Sequence, residues 1–80
     1  MIYIATFYSH FGAMRYKKIC DSKGASARLM PVPRNLSSSC GTCVAYEGDI
    51  ILPEGPSLEE VEQIAEKTES GFRVVYMAEN

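Results

Sequence analysis

Four side chains offer sulfur or imidazole chemistry in this 80-residue chain: His10, Cys20, Cys40 and Cys43. Cys40 has the most telling surroundings, Met30-Pro31-Val32-Pro33-Arg34-Asn35-Leu36-Ser37-Ser38-Ser39-Cys40-Gly41-Thr42-Cys43. Pro31 and Pro33 remove two backbone donors and fix an extended entry, so the segment leaves a strand and cannot turn straight into a helix. Ser38, Ser39 and Gly41 are small and leave the sulfur uncovered, and Gly41 accepts a positive φ. Arg34 is the nearest cation in sequence and favours a thiolate if the loop folds back. Serine hydroxyls and loop amides can also donate to sulfur. A cysteine presented this way can be attacked, loaded or oxidised. The plain alternative stays open, because serine runs mark turns and cysteine often behaves as a small buried hydrophobe.

The other three ligand-type residues join Cys40 only on paper. A Cys₃His zinc site would need His10 and Cys20, which sit at opposite ends of one helix, about 15 Å apart at 1.5 Å rise per residue. Cys20 also falls on the apolar face of that helix, where packing is its role. Cys40 and Cys43 form a Cys-x-x-Cys pair, which as a redox dithiol works best at a helix start. Val44-Ala45-Tyr46 favours a strand instead. A reversible disulfide, a metal shared between subunits and a core-facing Cys43 are the readings of that pair. His10 opens a helix at the end of the first strand and can serve as an acid–base partner if that end faces the Cys40 loop. No metal and no cofactor are expected.

The run Pro31 to Gly41, with the opening Tyr3-Ile4-Ala5-Thr6-Phe7-Tyr8-Ser9-His10-Phe11-Gly12-Ala13, resembles the selenium/sulfur carrier-like family. These are short domains marked by a Pro-Arg-x-Leu/Ile-Ser-Ser-Ser-Cys-Gly loop. The resemblance covers residues 1–47 well and the remainder only in pattern. It implies a carrier holding selenium or sulfur on Cys40 beside Gly41. Its partners would be a donor of the cysteine desulfurase or selenocysteine lyase kind and an acceptor enzyme. Cys43 is not required by that signature, and Gly48 to Pro56 reads as a small insertion.

Positioning such a loop falls to one small domain, residues 1–80. Its composition, 46% hydrophobic and 22% charged, is that of an ordinary soluble globule. No apolar run is long enough for a membrane span and the N-terminus lacks a signal-peptide layout. With three cysteines, the expected compartment is the reducing cytoplasm and the thiols are free. Charge is lopsided: residues 1–40 hold six Lys/Arg against one Asp, and residues 41–80 hold two against nine Asp/Glu. The basic half is too sparse for nucleic acid. Opposite faces attracting one another account for it. No paired carboxylates or phosphate-binding glycine loop point to a stand-alone enzyme. A non-catalytic, dimeric interaction module is the competing class.

The hydropathy pattern predicts β-α-β-β-α-β. Ile2 to Tyr8 is apolar on both alternating faces, as in a central strand. Ser9 caps a helix to Lys23 with Gly12, Ala13, Tyr16, Ile19 and Cys20 inward. Strands follow at 27–32 and 42–46, the latter leading to a tight turn at Glu47-Gly48. Ser57-Leu58-Glu59-Glu60 reads as a capping box for a helix to about residue 70. Phe72 to Ala78 completes an α+β, ferredoxin-like sandwich with two helices on one face of a four-stranded antiparallel sheet. The uncovered face of that sheet carries apolar side chains and predicts a homodimer.

Overall fold

The computed structural model of the chain describes residues 1–79. In order they form β1 (Ile2–Phe7), α1 (His10–Ser22), β2 (Ser26–Pro31), β3 (Thr42–Glu47), α2 (Ser57–Glu60), β4 (Val61–Thr68) and β5 (Gly71–Met77). The class is α+β, with five strands in the order β2-β3-β1-β4-β5 and every neighbouring pair antiparallel. β1 is central, as its two apolar faces require. β1 and β2 both run antiparallel to β3, so they are parallel to each other and bridged by α1.

The second helix is the main correction. Only Ser57–Glu60 is helical, and residues 61–68 form β4, so the four-stranded ferredoxin-like order gives way to five strands. Val61, Ile64 and Ala65 have helical spacing, but a short helix is marginal without extensive packing. β1 needs a partner on each edge, and β4 supplies the second. Gly71 is no helix stop: at φ +144 it closes the turn between β4 and β5, with Thr68 Oγ1 donating to its carbonyl at 3.2 Å. Ser57 does not cap forward either. Its hydroxyl bonds back to the Glu54 carbonyl at 2.6 Å, and Pro56 precedes the helical turn.

α1 forms as its sequence dictates. Ser9 Oγ accepts the Gly12 N–H at 3.2 Å, and Gly12, Ala13, Tyr16 and Cys20 are buried. Ala13, Tyr16 and Cys20 pack on Tyr3, Ala5, Phe7, Val44, Tyr46 and Ile64, the main core. Residues 48–56 cover the edge of this core rather than extending a hairpin: buried Ile51 accepts from the Tyr16 hydroxyl and donates its N–H to Tyr46 Oη at 3.1 Å. The Tyr16 and Tyr46 hydroxyls also meet, at 3.0 Å.

The opposite sheet face has its own cluster, Ile4, Cys43 and Ala45. The chain itself covers it, with Leu36 from the Cys40 loop, Met30, Val32, and Phe72 from β5. A register shift at Ile64/Ala65 breaks the expected Phe72-Val74-Tyr76 alternation, so Tyr76 joins the helix-side core while Phe72 joins the other. The large uncovered apolar face on which the dimer expectation rested is therefore closed at its centre.

Candidate functional site

The stretch carrying Cys40 joins two paired strands. The β2–β3 ladder runs through Met30↔Cys43 and Pro31↔Thr42, and Val32 N–H extends it to the Gly41 carbonyl at 3.1 Å. β2 is an edge strand, so the donor missing from Pro31 leaves no gap in a ladder. Pro33 to Leu36 is a turn, closed by Leu36 N–H donating to the Pro33 carbonyl at 3.0 Å. Gly41 sits at φ +75, as its position after Cys40 led us to expect. A Cβ there would touch nothing within 4 Å, so the requirement is conformational and not steric.

Each serine is tied to the neighbouring strands. Gln63 Nε2 donates to the Ser37 carbonyl at 2.9 Å. Ser38 Oγ donates to the Phe7 carbonyl at 3.3 Å and accepts the Cys40 N–H at 3.4 Å. Ser39 donates twice to Glu62, from its N–H at 3.3 Å and its hydroxyl at 2.7 Å. None of these donors reaches the sulfur, so the serine-to-sulfur hydrogen bonds that the sequence allowed do not form. The Cys40 thiol donates instead to the Thr42 carbonyl at 3.4 Å. Its side chain is half-buried, one flank against the helix-side core.

A model of the family described as "Putative Se/S carrier protein-like" matches residues 2–76. The chain belongs to that family. No curated protein and no solved structure matches it. The match extends past the first 47 residues, through the region that reads as an insertion and across both C-terminal strands.

Within this Se/S carrier-like chain the three cysteines differ sharply. Cys20 and Cys43 are fully buried, whereas Cys40 keeps solvent access. Burial pushes the Cys20 thiol up to about 11, with the Asp21 charge adding to it. Burial likewise pushes Cys43 up to about 11, with Cys40 adding to it. Cys43 Sγ donates to the Pro31 carbonyl at 3.6 Å within the Ile4/Ala45 cluster, while Cys40 packs on the other core. All three thiols are free. Among the described residues no three His, Cys, Asp or Glu side chains gather as a metal site. No helix is long and apolar enough to cross a membrane.

His10 reaches the loop region, with Nδ1 at 3.3 Å from Thr42 Oγ1. The parallel β1 and β2 thus bring the loops that follow them to one sheet edge, as expected. Thr42 touches both candidate side chains: its hydroxyl meets the imidazole and its carbonyl meets the Cys40 thiol. Arg34 lies exposed in the turn and makes no hydrogen bond or ion pair among the described residues. Glu62, Gln63 and Thr6, whose hydroxyl donates to Glu62 Oε1 at 3.2 Å, were missed by the sequence reading. A helix over 57–70 would have turned Glu62 and Gln63 to solvent. The Thr-Glu-Ser-Gly turn at 68–71 was the available sign of a hairpin there.

Proposed function

We propose that the chain carries sulfur or selenium on Cys40 as a persulfide or selenopersulfide, between a donor of the cysteine desulfurase or selenocysteine lyase kind and an acceptor enzyme. One observation carries this reading: of the three thiols, the one in the pinned serine loop alone has access to solvent. Membership in a family named for Se/S carriage supports it.

The chemistry is a single exchange run twice. The Cys40 thiolate attacks the terminal sulfur of a donor persulfide; the donor's S–S bond breaks, its thiolate leaves and Cys40 holds S–SH, with no net oxidation. Attack by an acceptor thiolate on that outer sulfur reverses the loading. With a selenium donor the same step gives S–SeH. The proton lost by Cys40 goes to solvent or to His10, whose Nδ1 meets the Thr42 hydroxyl. Once loaded, Cys40 Sγ has no hydrogen left to donate to the Thr42 carbonyl, so that bond is given up and the side chain is free to turn toward the open side of the loop. The work suits a cytoplasmic carrier more than a stand-alone enzyme, and dimerisation is not part of the mechanism.

Incubation with a cysteine desulfurase and cysteine tests the reading. Intact-mass analysis should show one added sulfur atom, mapped to Cys40 and removed by dithiothreitol. Cys40→Ser should abolish it and Cys43→Ser should keep most of it. Equal loss in both variants would replace the carrier with a Cys40/Cys43 dithiol, and no loading of the folded wild type would favour the docking module.

A further inference from the structure

We propose that Glu62, displaced by a bulge in β4, is the positioning residue of the Cys40 loop. The inference rests on the carrier reading for its purpose but not for its geometry. Across the β1–β4 ladder, Thr6 pairs with Gln63 and Phe7 pairs with Val61. Glu62 is the extra residue between them. Successive side chains of a regular strand point to opposite faces, so Glu62 and Gln63 could not otherwise hold the same short loop. A bulge re-aims one of them. Its carbonyl is satisfied, accepting the Ala78 N–H at 3.0 Å.

The re-aimed carboxylate meets three donors. Ser39 gives its N–H and hydroxyl, and Thr6, fully buried in β1, gives its hydroxyl to Oε1. Hydrogen bonds to an ionised acceptor are shorter and stronger than neutral ones. Thr6 anchors the carboxylate to the central strand, and the carboxylate anchors the residue directly before Cys40. Gln63 grips Ser37, and Ser38 grips Phe7. Ser37, Ser38 and Ser39 are thus fixed one after another, so Cys40 emerges from a stationary base. A nucleophile that must meet a sulfur held in another protein gains rate from being so placed.

The test compares Glu62→Gln and Glu62→Ala with the exposed control Glu59→Gln, using three readouts on the full chain. These are hydrogen exchange at the Ser39 amide, alkylation of Cys40 by iodoacetamide, and loading by a cysteine desulfurase with cysteine. Glu62→Ala should speed Ser39 exchange about tenfold or more, the worth of a charge-assisted hydrogen bond. It should raise Cys40 alkylation, because the loop opens, and lower kcat/KM for loading by about tenfold to a hundredfold. Glu62→Gln, which keeps one amide oxygen as acceptor, should fall between, and Glu59→Gln should match wild type. Opposite movement of the small-reagent and enzymatic rates separates positioning from loss of fold, which would expose Cys20 as well. Unchanged Ser39 exchange and Cys40 alkylation in Glu62→Ala would overturn the proposal, as would a fall in loading seen only together with alkylation of Cys20. Should wild type fail to load at all, the carrier reading falls while the exchange and alkylation results still decide the role of Glu62.

Discussion

Iodoacetamide added to the folded protein at about pH 8 forces the three cysteines to compete. Only the thiolate reacts, and both Cys20 and Cys43 are pushed from an ordinary 9.0 up to about 11. Two pH units mean roughly a hundredfold fewer thiolates than the same residues have in the unfolded chain, at any pH below the ordinary value. Burial multiplies this, because neither sulfur has accessible surface and reagent must wait for an opening. Cys20 and Cys43 should therefore react at least about a hundredfold more slowly in buffer than in urea, and Cys40 should take up the first label alone. Of the readings open for Cys43 the core-facing one describes the fold, and its position in the Ile4/Ala45 cluster puts it at the level of Cys20. Peptide mapping after a time course, with and without urea, reads this directly. Labelling of Cys43 within tenfold of Cys40 in the folded protein, with Cys20 still protected, would refute the burial argument.

Two other outcomes follow from the core. A methyl group at Gly12 would lie 2.8 Å from Glu60 Cβ and 3.5 Å from its carbonyl oxygen, where α1 crosses α2, so Gly12→Ala should destabilise by about 1–3 kcal/mol despite its better helix propensity. An unchanged or raised Tm would show that the α1–α2 crossing gives way to the added methyl group without cost. Stability should also fall on the alkaline side: Cys20 and Cys43 are held protonated by folding, and burial raises Tyr16 and Tyr46 too. Their contribution is whole below pH 9, the ordinary thiol value, and is lost as pH climbs through about 11, on the order of 2–3 kcal/mol for each thiol. A denaturation midpoint that is flat between those limits would contradict it.

The first half of the chain was legible because local and tertiary signals agree there. Ser9, the inward Gly12/Ala13/Tyr16/Cys20 stripe and the two-sided apolar Ile2–Phe7 strand each announce what they become. Gly41 and the proline entry announced the loop. The second half misled because Val-Glu-Gln-Ile-Ala-Glu fits both periods: Val61, Ile64 and Ala65 make a helical stripe, and Gln63 and Ala65 against Ile64 and Glu66 make a strand. Local propensity could not decide between them, and the open edge of β1 did. That one error hid Glu62 and Gln63, which reach the serine loop only from a bulged strand. The last strand was itself legible, expected at Phe72 to Ala78 and found as β5 at Gly71–Met77, and the error hid only the β4 strand that it pairs with.

The uneven charge of the chain resolves in the same way, from pairs that the fold makes. Arg15 Nε lies 2.9 Å from Glu60, Lys23 Nζ lies 3.7 Å from Glu54, and Lys17 meets Asp21 at 2.8 Å along α1. Two of these join the basic half to the acidic half, as opposite faces that attract would do. Arg15 Nε and Glu60 Oε1 are buried, whereas the pairs of Lys17 and Lys23 are more open to solvent and stabilise by little, so the meaning of the latter lies in what they leave over. Among the described residues, Lys18, Arg28 and Arg34 of the basic half make no ion pair. Scattered over α1, β2 and the turn after Pro33, they form no stripe for a nucleic acid backbone. Arg34 stands apart because it rides on the loop that ends in Cys40. It is exposed and makes no hydrogen bond or ion pair among the described residues, so its charge is open to solvent. Under the proposed carrier function that charge is free to meet an approaching protein, while the internal hydrogen bonds of the loop join it to Glu62, Gln63 and Phe7 and hold the base of Cys40.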